Sequence, residues 1–125
     1  MKKFKLFVTT LIILTLGCTE KPGTGGKNTL VAIVKHHGLV IPNATVYIKY
    51  GATEFPGENT SLYDDYKTAD SDGRVEFRNL KRGDYYLYGV GFDNAINQTV
   101  VGGIPVQLFQ KAGEKLIDLP VTEGD

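Results

Sequence analysis

The chain has 125 residues, 42% of them hydrophobic and 22% charged, which favours one globular domain and argues against a disordered chain. The formal charge is zero, but Lys2, Lys3 and Lys5 precede every acidic residue; without them 11 basic residues face 14 acidic ones, about −3 net. No basic stripe with interleaved aromatics is present, so a nucleic-acid partner is not expected. The single cysteine, Cys18, excludes an internal disulfide and a multi-cysteine zinc site.

The chain opens on a short basic segment, Met1 to Lys5, followed by an apolar run from Leu6 to Leu16. That run is shorter than the roughly 20 residues needed to span a bilayer and has the length of a signal-peptide core. It ends Leu14-Thr15-Leu16-Gly17-Cys18. This resembles the lipobox of bacterial lipoproteins, although Thr15 stands where the family carries leucine. The resemblance implies a signal peptide over residues 1–17, cleavage before Cys18 and lipid on its thiol. The location expected is the cell envelope, lipid-anchored to the outer membrane of a Gram-negative bacterium. Each buried methylene contributes about 0.8 kcal/mol, so two or three acyl chains hold a membrane durably.

Residues 18–28 end in TEKPGTGGKN, which is rich in glycine and polar residues and reads as a lipidated flexible tether. A domain is expected over 29–122, with a tail at 123–125. Leu30 to Val34 is a β-branched run, and Gly38 to Asn43 turns the chain. Ala44 to Tyr50 alternates, with Ala44, Val46, Ile48 and Tyr50 on one face and Thr45, Tyr47 and Lys49 on the other. Gly51 to Asp65 reads as a long polar loop, followed by a short edge strand near Tyr66 to Thr68. Asp70-Ser-Asp72-Gly73 is a tight-turn signal.

Arg74 to Arg78 alternates with Val75 and Phe77 inward, and Leu80 follows them. After the turn at Lys81–Asp84, the strand from Tyr85 to Val90 places Tyr85 and Leu87 on one face and Tyr86 and Tyr88 on the other. Gly91 to Asn97 reads as a loop. Strands at Thr99–Val101 and Ile104–Phe109 flank a Gly102-Gly103 break, and Lys115 to Val121 closes the chain. No stretch after the leader shows helical periodicity. About seven short strands at this spacing predict an all-β sandwich, with a barrel as the competing architecture.

Two stretches resemble the carboxypeptidase regulatory-like and Cna B-type domains. Ile41-Pro42-Asn43-Ala44-Thr45-Val46-Tyr47 looks like their "P-x-A-x-V" opening. Thr68 to Tyr85, with Asp70, Gly73, Val75, Phe77, Leu80, Gly83 and Tyr85 at fixed spacings, looks like their core motif. The resemblance spans Leu30 to Val121 and implies a seven-stranded, transthyretin-like Greek-key sandwich. Such domains serve mostly as structural, adhesive or spacer modules. The insertion at Gly51–Asp65 departs from the pattern, and no Asn–Glu partner for a lysine isopeptide bond is evident.

Candidate chemistry is sparse. His36-His37 is the only histidine pair, and strand neighbours point to opposite faces, so joint metal ligation needs a strand end or turn. Asp64, Asp65, Asp70 and Asp72 offer oxygens of the kind calcium prefers. An EF-hand reading fails, because setting Gly73 at its sixth position puts Thr68 first and Asn79 twelfth. Turn chemistry and solubility also account for these acids. Tyr63, Tyr66, Tyr86 and Tyr88 could form an exposed aromatic platform of the kind that sugars and proteins use; half-buried strand packing explains them as well. No nucleophile–histidine–acid spacing is recognisable, and the tail Val121 to Asp125 lacks the signature of transthyretin-like hydrolases. The expectation is a non-enzymatic envelope lipoprotein without cofactor, acting by contact as an accessory, adhesive or structural interaction module on an envelope protein or glycan partner, with a glycan- or calcium-binding surface protein as the alternative.

Overall fold

The computed structural model describes residues 21–123. Cys18 and the leader therefore lie outside the described residues. Among the described residues no helix is long and apolar enough to cross a membrane.

The fold is all-β, with two sheets packed as a sandwich. Eight strands occur among the described residues: β1 Thr24–His36, β2 Leu39–Val40, β3 Thr45–Tyr50, β4 Asp65–Thr68, β5 Arg74–Leu80, β6 Gly83–Asp93, β7 Gln98–Leu108 and β8 Ala112–Pro120. The expected segments Thr99–Val101 and Ile104–Phe109 merge into β7, and a two-residue β2 is added that folds back on the end of β1, pairing Lys35 with Val40 and His36 with Leu39. In the first sheet β5 and β8 flank β1, β5 antiparallel and β8 parallel. The second runs β4-β3-β6-β7, all antiparallel.

The alternation read from the sequence fills the space between the sheets. Val46 and Ile48 from β3, Val75, Phe77 and Leu80 from β5, and Tyr85 and Leu87 from β6 all join one buried cluster. Leu30, Ala32 and Val34 face them from β1, and Leu119 from β8. The Tyr85 hydroxyl accepts from the Gly23 backbone N–H at 2.8 Å and donates to the Lys81 carbonyl, which ties the start of β1 to the β5–β6 turn.

Three expectations about segments need correction, and glycine explains two of them. Thr24 to Asn28 is not tether but the first part of β1, where the register against β5 shifts and Lys27 and Asn28 pair with Ala112 and Gly113. A Cβ on Gly26 would overlap the Leu80 carbonyl, so this glycine is needed where two backbones cross. Likewise Gly102-Gly103 does not interrupt a strand, since β7 is continuous across both. A side chain on Gly102 would strike the Pro120 carbonyl, and one on Gly103 would lie 2.6 Å from the Tyr86 ring. Finally, the Gly91–Asn97 loop shrinks to a tight turn after Asp93, because β6 and β7 pair as far as Asp93 and Gln98.

Candidate functional site

The long connection from Gly51 to Asp65 folds over the outer face of the second sheet. Its one regular element is a three-residue 3₁₀ turn, Thr60–Leu62, whose first N–H groups are met by the Asn59 side chain at Ser61. Tyr63 leaves this turn and donates its hydroxyl to the Gly57 carbonyl at 2.8 Å, which closes the loop on itself. The Asp64 carboxylate accepts from the Tyr50 backbone N–H at 2.7 Å and fastens the loop to the end of β3.

Under the loop runs a row of tyrosines set by strand register. Tyr66 on β4 pairs with Tyr47 on β3, and Tyr47 pairs with Tyr88 on β6. Ring centroids are 5.8 Å apart for Tyr66–Tyr47 and 6.3 Å for Tyr47–Tyr88. From the loop, Tyr63 stacks on Tyr88 at 5.8 Å and 19°, and Phe55 lies 5.3 Å from Tyr88 and 6.0 Å from Tyr86. Such distances are those of favourable ring pairs. The platform therefore has two layers. Tyr86 and Tyr88 are buried at 8% and 6% exposure, whereas Tyr66 and Phe55 remain 61% and 47% exposed.

A groove of about 250 Å³ opens beside this row, lined by Tyr47, Thr60, Tyr63, Asp64, Asp65 and Tyr66. It offers ring faces, the hydroxyls of Thr60 and three tyrosines, and two carboxylates. Two clefts of about 440 and 450 Å³ lie elsewhere on the sandwich, and neither presents a row of exposed rings. Burial pushes the Tyr63 phenol up to about 12, with Tyr88 and Tyr86 adding to the shift. Tyr86 and Tyr88 are raised by burial too, Tyr88 also by Glu58 and Tyr47. All three phenols are neutral at physiological pH and present hydroxyls that can donate or accept.

Of the tyrosines singled out in the sequence, Tyr63, Tyr66 and Tyr88 meet around Tyr47, and Tyr86 lies beside them under Phe55. Tyr47 and Phe55 were not among the expected site residues. Tyr47 was legible, because its outward position in β3 matches the outward Tyr86 and Tyr88. Phe55 had no signal in a loop read as polar.

The four acids do not form one calcium cluster. Asp65 opens β4 and Asp70 lies past its other end, in the turn before β5, so the four-residue strand alone sets them about 10 Å apart. Asp64 also approaches Lys49 at 3.8 Å, and Asp65 accepts from the Tyr66 backbone N–H. Asp70 accepts from the backbone N–H groups of Asp72 and Arg74 at 2.8 and 3.0 Å, and so closes its own turn. The bland reading, turn chemistry, accounts for Asp70 and the turn that carries Asp72.

A second polar constellation sits at the far end of β1. His36 is buried at 2% exposure, with Asp93 Oδ2 at 2.7 Å from Nδ1 and Glu123 Oε1 at 2.7 Å from Nε2. Ionised carboxylates only accept, so with Asp93 and Glu123 both ionised the two ring nitrogens both donate and the ring is an imidazolium. The Asp93 bond raises its pKa against the opposing effect of burial, and Glu123 adds to the rise. Asp93 is held below the usual carboxylate range by His36 and by the Ala95 N–H. Glu123 is lowered by a backbone hydrogen bond and by His36. His37 takes φ 53°, and its ring lies 4.1 Å from that of His36. The strand end thus places both rings on one side, against the alternation that holds inside a strand. Asp93 and Glu123 could not be found from sequence, being 57 and 87 residues from His36.

No family model matches the chain, and no curated protein matches it. Among solved structures, a Pseudomonas aeruginosa protein, PA1324, described as a candidate carbohydrate-binding protein, superposes with a TM-score of 0.55. The two share 14% sequence identity over 84% of this chain and 93% of the other. At that identity the likeness concerns the fold.

Proposed function

We propose that this protein is a non-enzymatic binding module of the cell envelope, anchored by lipid on Cys18, that holds carbohydrate on the tyrosine face of its second sheet. The observation that carries the reading is the exposed edge of the row, Tyr66 and Phe55, over a packed aromatic floor and beside a groove lined with Asp64, Asp65 and Thr60. Ring faces cover the apolar faces of pyranoses, and carboxylates and phenols accept and donate to their hydroxyls. A floor already packed costs little ordering on binding. The description of the Pseudomonas neighbour points the same way.

The same reading keeps the transthyretin-like, Cna B-type assignment of the sandwich. Two packed sheets and the buried motif residues Val75, Phe77, Leu80 and Tyr85 support it. Within it the Gly51–Asp65 insertion, which departs from the family motif, becomes the element that builds the binding face.

Affinity electrophoresis through gels containing soluble polysaccharides of different monosaccharide classes tests the proposal. Retardation by at least one polysaccharide is expected. Tyr66→Ala and Phe55→Ala, both at exposed positions, should abolish the retardation while leaving the thermal melt nearly unchanged. Absence of retardation by every class, or retardation that survives both substitutions, would overturn the carbohydrate reading and leave a protein partner for this face.

A further inference from the structure

The cluster at the end of β1 takes no part in the tyrosine face. Three elements bring it together. β1 delivers His36 and, through the left-handed residue at its end, His37. The β6–β7 turn delivers Asp93, whose Oδ1 caps the turn at the Ala95 N–H while Oδ2 reaches His36. The C-terminal segment delivers Glu123, positioned by the Val121 N–H bond to the Lys35 carbonyl and by the bridge between Thr122 and Val101.

One ligand atom each from His36, His37 and Glu123 lies within 4.8 Å of the other two. Zinc binds imidazole nitrogen and carboxylate oxygen at roughly 2.0–2.2 Å, which sets tetrahedral donors about 3.4 Å apart. The cluster therefore needs to close by little more than about 1 Å. The two side chains that would move, His37 and Glu123, are the exposed ones, and the buried His36 ring is fixed.

The geometry points to a site for a zinc-type divalent cation formed by His36 Nε2, His37 and Glu123, with Asp93 holding the His36 ring from behind. Asp93 occupies Nδ1, so Nε2 is the nitrogen turned toward Glu123. A carboxylate on the far nitrogen of a ligating histidine is a recurrent outer-shell arrangement that fixes the ring and raises its basicity. Two imidazoles and one carboxylate suit zinc and its first-row neighbours, whereas calcium seeks six or more oxygens. On binding, the cation replaces the proton on Nε2, which leaves to solvent, and the Glu123 carboxylate passes from that proton to the metal. Three protein ligands leave a fourth position for water.

The test is calorimetric titration of zinc chloride into the purified, untagged, chelator-stripped protein near neutral pH. One saturable ion per chain is expected. His37→Ala and Glu123→Gln should each weaken binding at least about tenfold, and Asp93→Asn about 10–100-fold. Calcium should not compete, and Tyr66→Ala should bind zinc like the parent. His37 and Glu123 are exposed, so thermal melts of their variants should report intact folds; His36→Ala, which opens a buried position, is the poorer probe. A parent that takes up no zinc overturns the proposal and leaves His36 as an ion-paired clamp. Undiminished binding after both substitutions overturns it as well.

Discussion

The tyrosines divide by their surroundings, and that division can be read out as proton affinity. Tyr63 is pushed up to about 12 by burial under its own loop. Tyr50, Tyr86 and Tyr88 are raised too, burial being the first cause in each; Asp65 and Asp64 add to it at Tyr50. An unfolded phenol titrates near 10. Because these four keep their protons longer in the folded chain than in the unfolded one, their contribution to stability is complete below about pH 10. It is then lost as the pH climbs through their folded values. Ultraviolet titration of the folded protein should show a group of phenols ionising late, and strong denaturant should return them to the ordinary range. Tyr63→Phe should remove one late-titrating step and delay the alkaline loss of stability. A folded titration curve that coincides with the unfolded one would show that the Gly51–Asp65 loop does not cover the sheet.

At the scale of elements, side-chain alternation is a reliable guide and the two glycine pairs are not. Tyr85 and Leu87 turn inward and Tyr86 and Tyr88 turn outward, as their alternation requires, since a strand offers its residues only two faces. Gly25-Gly26 and Gly102-Gly103 were read as flexible tether and strand break, yet Gly26, Gly102 and Gly103 each seat another chain segment or ring against the backbone. Local sequence cannot separate the two uses, because what presses on the glycine comes from a distant residue: Leu80 on Gly26, Pro120 on Gly102, Tyr86 on Gly103. The same limit applies to the sites. The tyrosine row was half visible, because its members repeat on alternate positions. The His36 constellation was not, because its carboxylates arrive from the β6–β7 turn and the C-terminal segment. Gly102→Ala separates the readings of that glycine. A flexible break would tolerate it or gain from it, whereas a seat for the Pro120 carbonyl should lose about 1–3 kcal/mol through overpacking. A urea midpoint shifted downward at unchanged slope is the expected result.

At the scale of the whole molecule, the proposed anchor on Cys18, taken with the strand directions, would set which end of the sandwich faces the membrane. With lipid on Cys18, six Cα–Cα steps separate it from Thr24, so β1 would begin within about 22 Å of the bilayer surface. Pro22 lies against Gly83, and the Gly23 N–H meets the Tyr85 hydroxyl, so the β5–β6 turn lies at the same end of the sandwich as the start of β1. β1 then extends 13 residues, roughly 40 Å, to His36. With that anchor the His36, Asp93 and Glu123 constellation would stand at the membrane-distal end, and the tyrosine row, crossing β4, β3 and β6, on the flank between. Cys18 is the only cysteine, and acylation would block its thiol, so a cysteine placed elsewhere becomes the one labelling site. A fluorophore at Arg82→Cys, in the β5–β6 turn, should transfer energy efficiently to acceptors on lipid headgroups. One at Asn94→Cys, in the β6–β7 turn beside Asp93, should transfer far less. Adding Cys18→Ala to either variant should release the protein into the soluble fraction and abolish the transfer. Equal transfer from the two labels would mean that the sandwich lies flat on the bilayer. Retention of the Cys18→Ala protein on membranes would mean that something other than lipid on this cysteine holds it there.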